Sequence, residues 1–146
     1  MSAPEACRRN GGMFVNLPVA DLAISVAFYK SLGFARNPQF SDDTAACIVL
    51  GEGHYLMLLS HPKFAQFTPL PIADARAATQ LLVALQLDSR EAVDQLFEAA
   101  LANGGSRFRP TEDHGFMLTR PFADPDGHVF EPFFMDMSAL PTEQGA

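Results

Sequence analysis

The stretch Asp124-Pro125-Asp126-Gly127-His128-Val129-Phe130-Glu131 predicts a tight turn that leads directly into a sheet strand. Side chains alternate between the two faces of a strand, so Val129, Glu131 and Phe133 are expected to share one face. We expect this strand to close a small α+β domain that is built twice from one module.

Composition narrows the class of protein. A chain of 146 residues fits one compact domain. Its 10 Lys+Arg against 17 Asp+Glu give a formal charge of −7, which disfavours nucleic acid as a partner. No apolar run reaches membrane-spanning length, and the start lacks a secretory signal. We therefore expect a cytoplasmic protein without a membrane partner, in which Cys7 and Cys47 are free thiols.

The first half of the chain predicts a strand, a helix and a hairpin. Asp21 is a suitable helix cap, and Gly33 can adopt the positive φ that ends the helix. Pro18 indicates a strand end or an edge strand. The predicted elements are a strand at 13–19, a helix from 22 to about 32, a weaker strand at 34–40, and strands at 45–50 and 55–59 joined by Gly51-Glu52-Gly53-His54.

The second half restarts the same pattern. Asp88-Ser89-Arg90-Glu91 resembles a helix cap in which Glu91 bonds back to the cap residue. An amphipathic helix then presents one apolar stripe until Asn103-Gly104-Gly105 ends it. The stripe consists of Val93, Leu96, Phe97, Ala100 and Leu101. Strands are predicted at 80–87, near Arg107, at 116–120 and at 128–134.

An internal duplication explains this order. Val19-Ala20-Asp21 and Leu87-Asp88-Ser89 lie 68 positions apart. We predict a single domain at 13–136, made of two βαβββ modules at about 13–60 and 80–136. A connector with a short helical piece occupies 61–79, and 1–12 and 137–146 are expected to be tails, the first of them flexible.

Two motifs resemble the vicinal oxygen chelate superfamily, which includes glyoxalase I, bleomycin-resistance proteins and extradiol dioxygenases. The first is Val19-Ala20-Asp21-Leu22, followed by Phe28-Tyr29 and Leu32-Gly33-Phe34. The second is Asp124-Pro125-Asp126-Gly127 with Glu131 four residues after the glycine. Together they cover about residues 13–136, and the chain is most similar to bacterial proteins described as predicted lactoylglutathione lyases.

The resemblance implies that the two βαβββ modules form a curled mixed sheet, and that this sheet makes a cup that holds a small organic ligand. It also implies a homodimer, which an exposed apolar edge at residues 55–59 would favour. In metal-using members, four inward side chains bind one divalent ion such as Zn, Ni, Fe or Mn.

The corresponding positions in this chain disfavour that metal. They are Phe14, Met57, Leu82 and Glu131. Phenylalanine and leucine have no donor atom, and a thioether suits a soft ion rather than a hard dication. A register shift of two residues would replace Phe14 with Asn16 and Leu82 with Gln80, which still makes a weak site. We therefore expect no metal cofactor, with Glu131 as the ligand if one binds.

Glu131 has two interpretations that the sequence leaves open. If its strand face lines the cup, Glu131 is a general base or an anchor for a ligand's donor group. Alternatively it is a structural carboxylate, bonded to backbone amides or to an arginine such as Arg120.

Three functions remain as hypotheses. The first is metal-independent binding of a small, partly apolar molecule. The second is a glyoxalase-like lyase or isomerase in which Glu131 is the catalytic base. The third is sequestration of a toxic compound, for which the negative net charge suits a cationic drug. Whether the protein is an enzyme stays open, and the expected ligand-binding residues are Phe14, Asn16, Tyr55, Met57, Leu82, Phe116, Arg120 and Phe133.

Overall fold

A computed structural model describes residues 11–139 of the chain. Two compact units divide between Ile72 and Ala73, inside the predicted connector. Cys7 and most of the two predicted tails lie outside the described residues. No helix among the described residues is both long and apolar enough to cross a membrane.

The first unit follows the predicted element order. It contains β1 (Met13–Val19), α1 (Leu22–Ser31), β2 (Ala35–Asn37), β3 (Ala45–Gly51), β4 (His54–Ser60) and α2 (His61–Phe64). Short 3-10 helices at Pro38–Phe40 and Ala65–Phe67 follow β2 and α2, so the weaker predicted strand is shorter than expected.

The sheet of the first unit has the strand order β1-β4-β3-β2. β1 runs parallel to β4, and the other pairs are antiparallel. β1 lies at one edge, as Pro18 indicated. Strand β4 pairs on both sides, so residues 55–59 do not form the exposed edge that would have favoured a homodimer. The homodimer stays a prediction without that support.

Helix α1 covers one face of this sheet. The Asp21 side chain accepts a hydrogen bond from the Ile24 amide at 3.1 Å and so starts the helix, as predicted. Gly33 then takes a φ of +97° at the end. The helix packs against β3 and β4 through the buried Phe28 and Tyr29. The strand residues that alternate onto this covered face are buried, and they include Leu17, Val19, Leu56 and Leu58.

The second unit repeats the strand and helix but divides its later strands. It contains β5 (Leu82–Gln86), α3 (Arg90–Ala102), β6 (Ser106–Arg107), β7 (Glu112–Asp113), β8 (Met117–Thr119), β9 (Phe122–Ala123) and β10 (Val129–Met135). The strands β7 and β9 were not predicted, and β5 begins two residues later than expected. A 3-10 helix at Met137–Ala139 follows β10.

Proline explains the divided strand. β9 pairs antiparallel with Val129 and Phe130 of β10, and β8 pairs antiparallel with residues 133–135, whereas β5 pairs parallel with residues 129–133. β8 and β9 therefore lie on the same side of β10 and form one strand that is interrupted at Arg120-Pro121. Pro121 and Pro132 have no backbone N–H to donate to the ladder there. The resulting order matches the first sheet, in which the first strand is also parallel to the last.

The cap of α3 confirms the repeat and corrects one detail. The Ser89 side chain accepts a hydrogen bond from the Ala92 amide at 3.0 Å, so Ser89 is the cap. Glu91 consequently lies in the first turn, one position too early for the reciprocal bond that was predicted. Asp21 and Ser89 are the 68-position equivalents expected from the duplication.

Candidate functional site

The face of the first sheet opposite α1 carries an exposed aromatic cluster. Strand pairing sets Phe14 against Tyr55, and their rings stack with centroids 4.5 Å apart and 16° between the planes. The ring of Phe40, from the 3-10 helix after β2, meets Phe14 edge-on at 6.1 Å. Phe14 is 45% exposed and Phe40 is 52% exposed. We call Phe14, Phe40 and Tyr55 the aromatic cluster.

Polar groups flank the aromatic cluster. Asn16 pairs with Met57 one step along the same face, and both are accessible. Among the described residues, neither the Asn16 amide nor the Tyr55 hydroxyl has a hydrogen-bond partner, so both remain available to a ligand. Cys47 lies across from Met57 but is buried. Burial raises the pKa of the Cys47 thiol, which favours the neutral packed form.

The second sheet carries Glu131 on its own open face. Register places Leu82, Ala84 and Gln86 of β5 beside Val129, Glu131 and Phe133 of β10. The three β5 residues are exposed, whereas the Glu131 side chain is only 15% exposed. Leu82, Glu131 and Phe133 are therefore brought together. Alternation predicted the shared face of Glu131 and Phe133, and the family resemblance indicated Leu82.

Arg109 is the partner of Glu131. Its Nη2 group donates to the Glu131 Oε2 at 2.7 Å, and its Nη1 group donates to Glu112. The hydrogen bond to Glu131 raises the pKa of the Arg109 guanidinium above its ordinary value. On the far side of Glu112, the His114 Nε2 lies 3.5 Å from the carboxylate. The positive charge of Arg109 thus compensates the negative charge of Glu131.

The structural interpretation of Glu131 named Arg120 as an example of an arginine partner, but the arginine that binds Glu131 is Arg109. Arg120 pairs with Asp94 at 2.9 Å and Glu98 at 3.3 Å, and its guanidinium carbon lies 4.0 Å from the centre of the Phe97 ring. These partners belong to α3. Strand alternation therefore places Arg120 on the helix-covered face, away from Glu131.

Phe116 is also separated from the other predicted contacts. Its carbonyl accepts a hydrogen bond from the Asp136 amide at 2.7 Å, one step beyond the pair of Met117 with Met135. Alternation from that register places Phe116 and Phe133 on opposite faces. Phe116 is 40% exposed at the end of the sheet.

The four family metal positions do not fit a hard divalent ion. Phe14 and Leu82 offer no donor, Met57 offers only a thioether, and Glu131 is already bound to Arg109. Gln80, the alternative to Leu82, precedes β5. Among residues 11–139, no three histidine, cysteine or acidic side chains are grouped to share an ion. No chemistry is assigned to a metal here.

The turn before β10 is fixed by Asp124. One carboxylate oxygen of this buried residue accepts hydrogen bonds from the amides of Asp126 and His128, at 2.9 and 2.8 Å. Gly127 has a φ of +95°, and its Cα lies against Arg76. The Asp124–Gly127 turn therefore leads the chain into β10, and the role of Asp124 in it is structural.

One family model matches the chain. Residues 12–51 match the model described as bleomycin resistance protein-like N-terminal. That segment contains β1, α1, β2 and β3, and with them Phe14, Asn16 and Phe40. A search of curated proteins gives no significant match.

Known structures share the fold over most of the chain. A hypothetical protein from S. aureus is 26% identical, with a TM-score of 0.73 over 84% of this chain and 92% of that one. A glyoxalase/bleomycin resistance protein/dioxygenase family enzyme from Burkholderia phytofirmans is 21% identical, with a TM-score of 0.68 over 84% and 96%.

A bleomycin resistance determinant encoded on the transposon Tn5 is 20% identical to the chain, with a TM-score of 0.60 over 88% and 100%. At these identities the structures establish the α+β fold. The family model adds a similarity to bleomycin resistance proteins over residues 12–51, and the descriptions of the structural neighbours include glyoxalase, bleomycin resistance protein and dioxygenase.

Proposed function

We propose that the protein binds a small, partly apolar organic molecule on the open face of its first sheet, without a divalent metal. The observation that carries this proposal is the aromatic cluster, in which Phe14 and Phe40 are about half exposed although Phe14 stacks on Tyr55 and meets Phe40 edge-on. Covering the exposed half of one such ring contributes about 1 kcal/mol, since full burial of a phenylalanine contributes about 1.5 to 3 kcal/mol. Exposed apolar patches with polar neighbours are typical of binding sites.

The polar groups beside the cluster would orient the ligand. Asn16 offers an amide donor and acceptor, and Tyr55 offers a hydroxyl. A rigid aromatic floor with few polar contacts is the usual composition of a small-molecule site. In this proposal Met57 adapts to the shape of the ligand, because its thioether side chain has several rotatable bonds.

Sequestration is the form of binding that we favour. The family model and several structural neighbours carry bleomycin resistance in their descriptions. The net charge of −7 would attract a cationic compound to the protein surface. Recovery of a bound compound in unchanged form would support sequestration over catalysis.

The lyase alternative receives less support. Glu131 retains the free oxygen that a base needs, because only its Oε2 accepts a hydrogen bond from Arg109. The residues at the other three family metal positions, Phe14, Met57 and Leu82, supply no hard ligand for a metal that would stabilise an enolate. Turnover of the hemithioacetal of methylglyoxal and glutathione by nickel- or zinc-loaded protein, lost in Glu131→Gln, would favour the lyase. We also propose a cytoplasmic location and a homodimer.

The proposal is tested by screening small aromatic compounds against metal-free protein by NMR. Binding compounds should shift the Met57 methyl and Asn16 side-chain amide signals. The affinity obtained from these shifts should fall about tenfold in Phe14→Ala and Phe14→Leu, since each variant loses the stacked ring.

Phe67→Ala is the matched control, because Phe67 is another exposed phenylalanine of the first unit, 64% exposed. It should leave the affinity unchanged. Binding that leaves the Met57 and Asn16 signals unshifted would overturn the proposal. An unchanged affinity in both Phe14 variants would also overturn it.

A further inference from the structure

We propose that Arg109 and Glu131 form a donor–acceptor site for a neutral organic molecule that carries a carbonyl oxygen beside an N–H or O–H group. The site lies wholly in the second unit. It extends the proposed ligand-binding function to the second sheet. The test below uses variants and signals of the second sheet only, so its failure is distinguishable from failure of the proposal for the first sheet.

Arg109 is held in a fixed position and still has donors to offer. A guanidinium carries five N–H groups in a rigid fork. Glu112 and Glu131 take one each, and the other three have no partner among the described residues. Two carboxylates therefore orient the guanidinium, whose side chain remains 34% exposed. Such an oriented fork is suited to a carbonyl oxygen.

Glu131 supplies the acceptor. Its Oε2 is bound to Arg109, whereas its Oε1 has no hydrogen-bond partner among the described residues. The side chain is 15% exposed, so little water reaches it compared with a surface carboxylate. A ligand N–H or O–H would satisfy this oxygen and gain a charge-assisted hydrogen bond.

The surrounding side chains would hold the apolar part of the ligand. Leu82 and Ala84 of β5 are exposed beside Glu131, and Leu82 is 49% exposed. Phe133 lies two residues farther along the same face of β10. These groups provide an apolar floor next to the paired charges.

The charge pattern selects a neutral ligand. An anion at the free donors of Arg109 would lie close to the Glu131 and Glu112 carboxylates and be repelled. A cation at the Oε1 of Glu131 would lie close to the Arg109 guanidinium, which is 2.7 Å from the other oxygen. Only a group that accepts from Arg109 and donates to Glu131 satisfies both at once.

The test compares benzamide, benzoate and benzamidinium, which share a ring and shape but are neutral, anionic and cationic. Each is titrated into the full-length protein while NMR follows the Arg109 Nε–H and Phe133 ring signals. Benzamide should give saturable shifts at both, with an affinity at least about tenfold higher than that of either ion, because each ion loses one charge-assisted bond.

Two variants assign the binding to Arg109. Arg109→Met removes the donors, and Arg109→Lys keeps the positive charge but loses the planar fork. Both should weaken benzamide binding about tenfold, as followed by the Phe133 signals. Arg90→Met is the matched control, because Arg90 pairs with Asp113 and does not contact Glu131. It should bind benzamide like the unmodified protein.

Three results would overturn the proposal. They are the absence of saturable benzamide shifts at Arg109 and Phe133, binding of benzoate or benzamidinium at least as tight as benzamide, and undiminished benzamide binding in folded Arg109→Lys. Amide dispersion in the NMR spectra establishes that each variant is folded.

Discussion

Ser25 buries a polar group in the first unit without satisfying it. Its side chain is fully buried in α1, and its Oγ has no hydrogen-bond partner among residues 11–139. A buried hydroxyl without a partner costs free energy, and alanine is the better helix former. Ser25→Ala should therefore raise the free energy of unfolding by about 1 kcal/mol, measured by urea denaturation.

Ser31 provides the comparison within the same helix. Its Oγ donates to the Phe28 carbonyl at 2.5 Å, so Ser31→Ala removes a hydrogen bond that is made. That variant should be neutral or slightly destabilised. Loss of stability in Ser25→Ala equal to that in Ser31→Ala would contradict the description of Ser25 as unpaired.

At the residue scale, alternation predicted some site residues and not others. Phe14, Asn16, Tyr55 and Met57 were placed on one face because their strands are long and regular. Arg109 was missed because it lies between β6 and β7, where no periodicity fixes the direction of a side chain.

Phe40 and Arg120 show the same limit. Phe40 lies in a 3-10 helix rather than the predicted strand, so its approach to Phe14 depends on tertiary packing. Arg120 was named as an example of an arginine partner for Glu131. The register of β8 against β10 decides its face, and that register is a property of the folded sheet.

At the element scale, the turn before β10 depends on a glycine with two requirements. Gly127 has a φ of +95°, and a Cβ there would lie 2.8 Å from the Arg76 Cγ and 2.9 Å from its backbone nitrogen. Gly33 has a similar φ of +97° but open space around it.

Gly33→Ala should therefore cost about 1 to 2 kcal/mol of stability, the cost of the left-handed backbone alone. Gly127→Ala should cost more, because the Asp124–Gly127 turn must also move away from Arg76. Denaturant unfolding of both variants measures the difference. Equal losses of stability in the two variants would show that Arg76 moves aside without a measurable free-energy cost, which contradicts the prediction.

The two helix caps should be equivalent if the modules are true repeats. Asp21 and Ser89 each accept a backbone hydrogen bond in the first turn. Asp21→Ala and Ser89→Ala should each lower the free energy of unfolding by about 1 kcal/mol. Hydrogen exchange should localise each loss to the helix concerned, and a change confined to other elements would contradict this assignment.

The Arg90–Asp113 pair ties α3 to β7 and introduces a pH dependence. The hydrogen bond from Arg90 lowers the pKa of Asp113 below the ordinary 3.8. The folded state thus binds this proton less tightly than the unfolded chain. Its stabilisation is fully present above the ordinary pKa and is lost as the pH falls through the lower folded value.

Carboxyl NMR of Asp113 measures that pKa directly. In Arg90→Met the value should rise towards 3.8, since the main cause of the lowering is removed. If the pKa of Asp113 stays equally low in the variant, the prediction is wrong. The lowering would then come from the Gly115 amide, which also donates to Asp113 at 2.9 Å.

The elements themselves were predictable where local signals agreed. β1, α1, β3 and β4 begin and end within one or two residues of their predicted bounds, because caps, glycines and apolar runs coincide. The elements of the second half were less predictable. Prolines divide one strand into β8 and β9, and a two-residue strand such as β7 is too short to show a periodic pattern.

At the scale of the whole molecule, the duplication was visible in the sequence, whereas the arginine partner of Glu131 was not. The caps 68 positions apart and the equal strand orders of both sheets follow from a repeated local pattern. The pairing of Glu131 with Arg109 joins residues 22 positions apart through a loop. It changes Glu131 from a lone carboxylate into one member of an ion pair.

Metal independence is the central claim for the molecule as a whole, and one titration tests it most directly. The tightest-binding compound of the aromatic set is titrated into metal-free protein and into protein incubated with zinc or nickel, while the Met57 methyl signal is followed. The account predicts equal affinities and no stoichiometric metal. Stoichiometric metal bound to Glu131, with affinity raised about tenfold or more, would contradict it.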